Sequence, residues 1–375
     1  MRKSVLFIAV FSACFPHQLS ACLWDYDTLA MERKLFPGAH ELIAGNFVRH
    51  SDAYYKWRIA DRMAKPSDQL LPSDMDDVAV AHDKLGNHDK AIETILEKME
   101  RWPDQGRYES EANLGTFYIH AGQLEEGLEH IRSAIAINPD AHFGREVYQQ
   151  FLVEYLIEKR SESPQLPLST SVGEGQIGFT AFVLESRKPV EDKRLEEIQA
   201  AANGVLGMMR FGTADSPVLL EVLGDLLLAD FSNDDAKMLA TRAYLRASMK
   251  VDDPEATVAY RDKAKATISM QKDVELEQLE EQLFQEIEKG DSLFLRISAD
   301  EAAWIAADMD VDAEFQEKYF EAPLLSYDPE EDDDDGWVSG LSTAGVVACS
   351  CSVVAGLIAI AVVARKRGRR VSSLP

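Results

Sequence analysis

The sequence predicts an all-α fold, a solenoid of stacked helix pairs with a C-terminal transmembrane helix, on three observations. Pro72 to Trp102 and Tyr108 to Asn138 share one pattern displaced by 36 residues, with Gly86 over Gly122, Ala91 over Gly127, Ile95 over Ile131 and Pro103 over Pro139. Elsewhere apolar residues recur at helical spacing, as in Leu195, Ile198, Ala202, Val205 and Met209. Trp337 to Ala364 is uncharged and long enough to span a bilayer. A single helix pair cannot bury its own apolar face, so neighbouring pairs must stack into one core, and such stacks typically bind partners.

Residues 1–21 read as a secretory signal peptide: Arg2 and Lys3 give the charged start, and Val5 to Phe15 is an apolar run too short to cross a membrane. Leu19-Ser20-Ala21-Cys22 then resembles a bacterial lipobox, which implies lipidation of Cys22. Pro16-His17-Gln18 interrupts the apolar run, and plain cleavage beside an unmodified Cys22 stays open as the alternative. Cys14 leaves with the signal, while Cys349 and Cys351 lie in the C-terminal apolar segment. Cys22 is the single thiol left to the exported domain, which must fold without an internal disulfide.

Residues 22–66 form an aromatic-rich N-terminal cap. Ser51 is a suitable N-cap for a helix running to about Met63, and Pro66 closes it. The segment can cover the apolar face of the first repeat, or it can offer Tyr54, Trp57 and Arg58 as an aromatic and cationic surface for a partner.

Residues 67–160 hold two repeats and a packing helix. Copy two reads Leu114-Gly115, Tyr118, Gly122, Gly127, Ile131, Ala134 and Pro139. Small residues at Gly115, Gly127 and Ala134 let two helices approach, Gly122 makes the turn, and Pro139 ends the second helix. This pattern resembles the tetratricopeptide (TPR) family. Copy one is a weaker match, with Val78-Ala79 in place of Leu-Gly and His82 in place of Tyr. The aromatic front end is similar to that of some bacterial envelope TPR proteins. The resemblance implies a concave groove lined by the first helix of each pair, and from it a partner-binding groove of Asp76, Asp83, Glu109, Thr116 and His120. The family's clamp for C-terminal carboxylates needs Lys and Asn where this chain has Asp76 and Val80, so that specificity is not expected.

Residues 161–190 form a loop-rich insertion, Ser, Pro and Gly rich to Gly178. Gly173 to Gly178 matches G-x-G-x-x-G, yet no strand precedes it, so no dinucleotide cofactor is expected. Residues 191–253 give a helix and a third repeat, with Leu223-Gly224, Ala236 and Ala243 at the small positions. Residues 254–322 continue helical, and Ser298 to Glu301 reads as a capping box before Trp304. Residues 323–336 are an acidic stalk whose unspaced carboxylates do not fit a calcium loop. Residues 337–364 are the transmembrane helix, and 365–375 a basic tail whose arginines place the C-terminus in the cytoplasm.

Seven basic residues belong to the two ends, which leaves the exported part 65 acidic against 32 basic residues. That surface opposes nucleic acid. His40-Glu41 begins a zinc-protease motif, but Ala44 replaces its second histidine, and neither a P-loop nor a nucleophile elbow is present. The expectation is a non-catalytic protein-interaction scaffold on the extracytoplasmic face of a membrane, without cofactor or metal and with a protein or peptide partner. The alternative is an envelope enzyme with a site in residues 24–62, for which Asp25, Asp27, Glu32, Arg49, His50 and Arg58 would have to converge on one cleft.

Overall fold

A computed structural model describes residues 38–139, 144–162, 165–170, 177–229, 234–269 and 275–321. The expected signal peptide, Cys22, acidic stalk, transmembrane helix and basic tail lie outside them. Regular structure among the described residues is helical throughout, and no helix there is long and apolar enough to cross a membrane.

Copy one is α3 (Pro72–Lys84) and α4 (His88–Arg101), and copy two is α5 (Arg107–His120) and α6 (Leu124–Ile137); α1 (Ala39–Ala44) and α2 (Asp52–Met63) precede them. The two turns close alike. Gly86 and Gly122 take φ of 75° and 80°, and the next amide reaches back, Asn87 to the His82 carbonyl at 2.9 Å and Gln123 to that of Tyr118 at 2.8 Å. A Cβ on Gly115 would stand 2.5 Å from the Ile131 side chain, and one on Gly127 would stand 2.8 Å from the Gly115 carbonyl. The α5 and α6 backbones therefore meet where the repeat places its small residues. In copy one Ala79 and Ala91 fill these positions, both buried.

Beyond the repeats, α7 (Arg145–Glu162) packs on α6 and on α9 (Arg194–Phe211), with Gly204 beneath the Tyr148 ring. The span 161–190 is not loop throughout, because Gly178–Arg187 form α8. Phe179, Val183 and Leu184 lie on one buried face of that helix, and their spacing is the signal the Gly and Pro content obscured. Copy three is α10 (Pro217–Leu228) and α11 (Asp234–Ser248), in which Gly224 faces the Tyr244 ring.

The remaining helices are α12 (Pro254–Ile268), the 31-residue α13 (Leu276–Ala306) and α14 (Val311–Phe315), which continues into a π-helical turn. Ser298 to Glu301 does not start a helix but lies inside α13; the Ser298 hydroxyl donates to the Phe294 carbonyl, and Glu301 is buried. At 1.5 Å per residue α13 is about 46 Å long, enough to run back to the start of the chain. There Glu301 meets His50 Nδ1 at 2.6 Å and accepts from the Ser51 amide at 2.9 Å, while Asp312 accepts from the Tyr54 hydroxyl at 2.6 Å. The start of α2 is thereby clasped to α13 and α14.

α2 packs on α3 as a cap would. α1 does something else: Leu42 and Ile43 are buried in the large apolar cluster that α7 to α13 share.

Candidate functional site

Closing the stack leaves a cleft of about 640 Å³ bounded by the ends of α3 and α5, the start of α4, and the stretches that follow α1 and α9. Its frame is tied by backbone carbonyls. Lys84 donates to the carbonyls of Phe211 and Gly212, each at 2.6 Å, and Arg210 donates to that of Val48.

Two other cations meet in the cleft lining beside Gly45. Arg49 donates to the Gly45 carbonyl at 2.5 Å and lies 4.3 Å over the Phe294 ring. Its Nη1 and the Nη2 of Arg246 come within 3.9 and 4.0 Å of one point above Gly45. Burial pushes the pKa of both guanidiniums down, against the opposing pull of Asp291 and Asp215. Asp215 is itself bonded to Lys250 at 2.6 Å. Two half-desolvated like charges at one point favour an anion between them.

A second group lines the same cleft. Asp83, its side chain 2 % exposed, lies 2.7 Å from His88 Nδ1 and 2.9 Å from His120 Nδ1. Burial would raise the Asp83 carboxyl, but the bonds to His120 and His88 outweigh it and hold the pKa at about 2. The same bond to Asp83 raises His88. The rings remain 31 % and 25 % exposed, and one ligand atom from each of the three residues falls within 4.8 Å of the others, so these residues could hold a metal ion.

The five residues expected in one groove do not share a surface. Asp83 and His120 line this cleft. Asp76 is buried with both oxygens on Lys98 Nζ, at 2.8 and 2.7 Å, and Asn113 reaches it at 3.3 Å. Thr116 is also buried, donating to the Ala112 carbonyl and accepting from Gln149. Glu109 is half-buried and outside the cleft lining. Asp76 and Asp83 share an α3 face but stand seven residues apart, and Asp76 opens onto a different cleft.

That second cleft, about 720 Å³, lies between α2, α3 and α14 and holds Trp57. Several of its acids are engaged: Arg62 bonds Asp77 at 2.9 Å, Asp61 at 2.5 Å and also Asp312. Tyr54 and Arg58 do not form a surface with Trp57. Both are fully buried, Arg58 donating to the Tyr54 hydroxyl beneath the clasp to Asp312.

Of the residues on which a site in 24–62 depends, Arg49 and His50 line the first cleft and Arg58 does not; Asp25, Asp27 and Glu32 lie outside the described residues. The start of α8, where the Gly-rich motif ends, faces the Asp225 carboxylate: the Phe179 amide donates to it at 3.4 Å, and a Cβ on Gly178 would stand 2.0 Å from it. The rest of the motif, Gly173 to Gln176, lies outside the described residues. His40 lies 3.0 Å from Glu286 of α13.

Arg246 and His88 were not singled out in the sequence, and Arg49 was singled out only for a site within 24–62. His88 follows Asp83 across the Gly86 turn, and that short spacing was the available signal. Arg49 and Arg246 lie far apart in the chain, so no local pattern announces that they meet. Compared with known proteins, the chain matches no family model, no curated protein and no solved structure.

Proposed function

We propose that the chain is a non-catalytic protein-interaction scaffold of the tetratricopeptide type, held by its C-terminal apolar helix at the extracytoplasmic face of a membrane. In this reading the first cleft receives an acidic side chain or chain-terminal carboxylate of a protein partner, and no nucleic acid is bound. The supporting observation is the pair Arg49 and Arg246, whose guanidiniums point at one place in the cleft at reduced solvation. The apolar neighbours Phe47 and Phe294 would cover the aliphatic part of such a group.

Peptide binding tests this directly. Fluorescent peptides bearing Asp or Glu should bind, their Asn or Gln counterparts should not, and Arg246→Gln should weaken binding about tenfold or more, as loss of a charge-assisted hydrogen bond does. On intact cells the same substitution should lower the yield of partner trapped by a membrane-impermeant crosslinker, a reagent that reaches the domain only from outside. Equal binding of acidic and amide peptides would reject the reading.

One observation favours the enzyme alternative: Arg49 and His50 line the same cleft as His88 and His120. Against it, His50 is buried and engaged with Glu301.

A further inference from the structure

We propose that Asp83, His88 and His120 form a zinc site at the edge of the first cleft, with its remaining coordination position directed into the cleft. Two imidazoles and one carboxylate are the donor set that zinc takes in protein sites that keep a position open, whereas magnesium and calcium prefer oxygen alone.

The geometry needs little change. Tetrahedral zinc with bonds of about 2.0–2.1 Å holds its ligand atoms about 3.3 Å apart. Here Asp83 lies 2.7 Å from His88 Nδ1 and 2.9 Å from His120 Nδ1, and the three ligand atoms fall within 4.8 Å of one another. Small rotations of two half-exposed rings open the space, while the buried carboxylate stays in place. Each ring would bind as neutral imidazole through Nδ1, its proton on Nε2.

The repeat supplies an independent argument. Shifted by 36 residues, Asp83 and His88 become Ile119 and Leu124 in copy two, so an apolar pair serves the same junction between first and second helices there. The fold does not require polar residues at this place, and copy one has them where the cleft opens. Lys84, the cation adjoining Asp83 in sequence, turns its ammonium to the carbonyls of Phe211 and Gly212. Arg49 and Arg246 line the same cleft, where an anion could share their charge with the metal. The site does not depend on the partner reading, because zinc alone is the probe.

The test uses the full chain, since no part of it is known to fold separately. Metal-free protein is titrated with Zn²⁺ and, for its spectrum, with Co²⁺, and wild type is compared with His88→Ala/His120→Ala. Wild type should take up one equivalent more than the double variant. Its additional cobalt spectrum should lack the thiolate charge-transfer band that cysteine ligation would give, and each single His→Ala change should weaken binding about tenfold or more. Circular dichroism verifies folding, and His88→Leu, carrying the residue of copy two, supplies a second variant matched to the fold. Equal metal uptake by wild type and both variants, or a difference confined to the thiolate band, overturns the proposal. Failure of acidic peptides to bind would leave it standing.

Discussion

Asp83 with His88 and His120, and Glu221 with Asp225 and Lys263, are both charged clusters at contacts between neighbouring helices, yet they differ in what surrounds them. In the second, exposures are 0 %, 1 % and 2 %, and every carboxylate oxygen is used. Glu221 accepts from Lys263 at 3.1 Å, the Tyr260 hydroxyl at 2.8 Å, and the amides of Leu168 and Ser169 at 2.9 Å each. Asp225 accepts from the Tyr244 hydroxyl at 2.7 Å, Lys263 at 3.0 Å and the Phe179 amide. This cluster pins α8, α10, α11 and α12 together and has no room for a ligand. The Asp83 cluster buries only its carboxylate and leaves both rings at the cleft. A buried charge in a folded chain must be compensated, so a sealed and saturated cluster is explained by the fold, and a half-open one whose rings can turn toward the cleft is open to further chemistry.

The largest expected effect falls on the sealed side. Lys263→Met removes the one cation between two buried carboxylates and should cost about 3–5 kcal/mol in urea unfolding. A cost below about 1 kcal/mol would mean that water already reaches the cluster and that the contrast is false.

Alkaline titration sharpens the same contrast. Burial first, then the neighbouring Asp225, raises the Tyr244 hydroxyl above its ordinary 10.0, and burial with Glu221 does the same for Tyr260. Burial opposes the charge on Lys263, but Asp225 and Glu221 outweigh it and raise that amine above 10.5. Groups raised on folding contribute stability that is complete below their unfolded values and is lost as pH climbs through the folded ones. Stability should therefore decline above pH 10, with tyrosinate absorbance from these two residues appearing together with loss of helicity. Their ionisation near pH 10 in a chain that stays helical would contradict a sealed cluster.

The smallest effect is expected on the open side. Without metal, His88→Ala/His120→Ala strands the buried Asp83 carboxylate and should cost about 1–3 kcal/mol at neutral pH, less than Lys263→Met because the emptied ring positions admit water to it. A loss as large as that of Lys263→Met would move this cluster into the structural class.

Much of the fold was legible in the sequence because its signals are local. The Gly86 and Gly122 turns, Ser51 accepting from the Tyr54 amide as N-cap, and the small residues at Gly115, Gly127 and Gly224 each depend on a few neighbouring positions or one repeat offset. The site was legible only in part. Asp83 and His120 were singled out through the repeat, whose successive first helices bring residues 37 positions apart together, as Asp76 and Asn113 also are. Misplaced were Tyr54 and Arg58: an aromatic and an arginine on a polar helix suggest a surface, and nothing near them in sequence announces Asp312 as their cover.

The sequence alone therefore determined that the described chain is helical, where its repeats turn, and which faces of those helices are apolar, since these follow from the period of the chain and the conformational limits of Gly and Pro. Tertiary structure decided that α13 returns to clasp α2, that α1 enters the core of the other half, and hence that Arg49, Arg246, Asp83, His88 and His120 face a single cleft. The physical reason is that where helices pack in succession each packing angle adds to the last. Which distant side chains finally meet depends on the accumulated rotation and on a 31-residue helix long enough to bridge it, and neither is encoded at any one position.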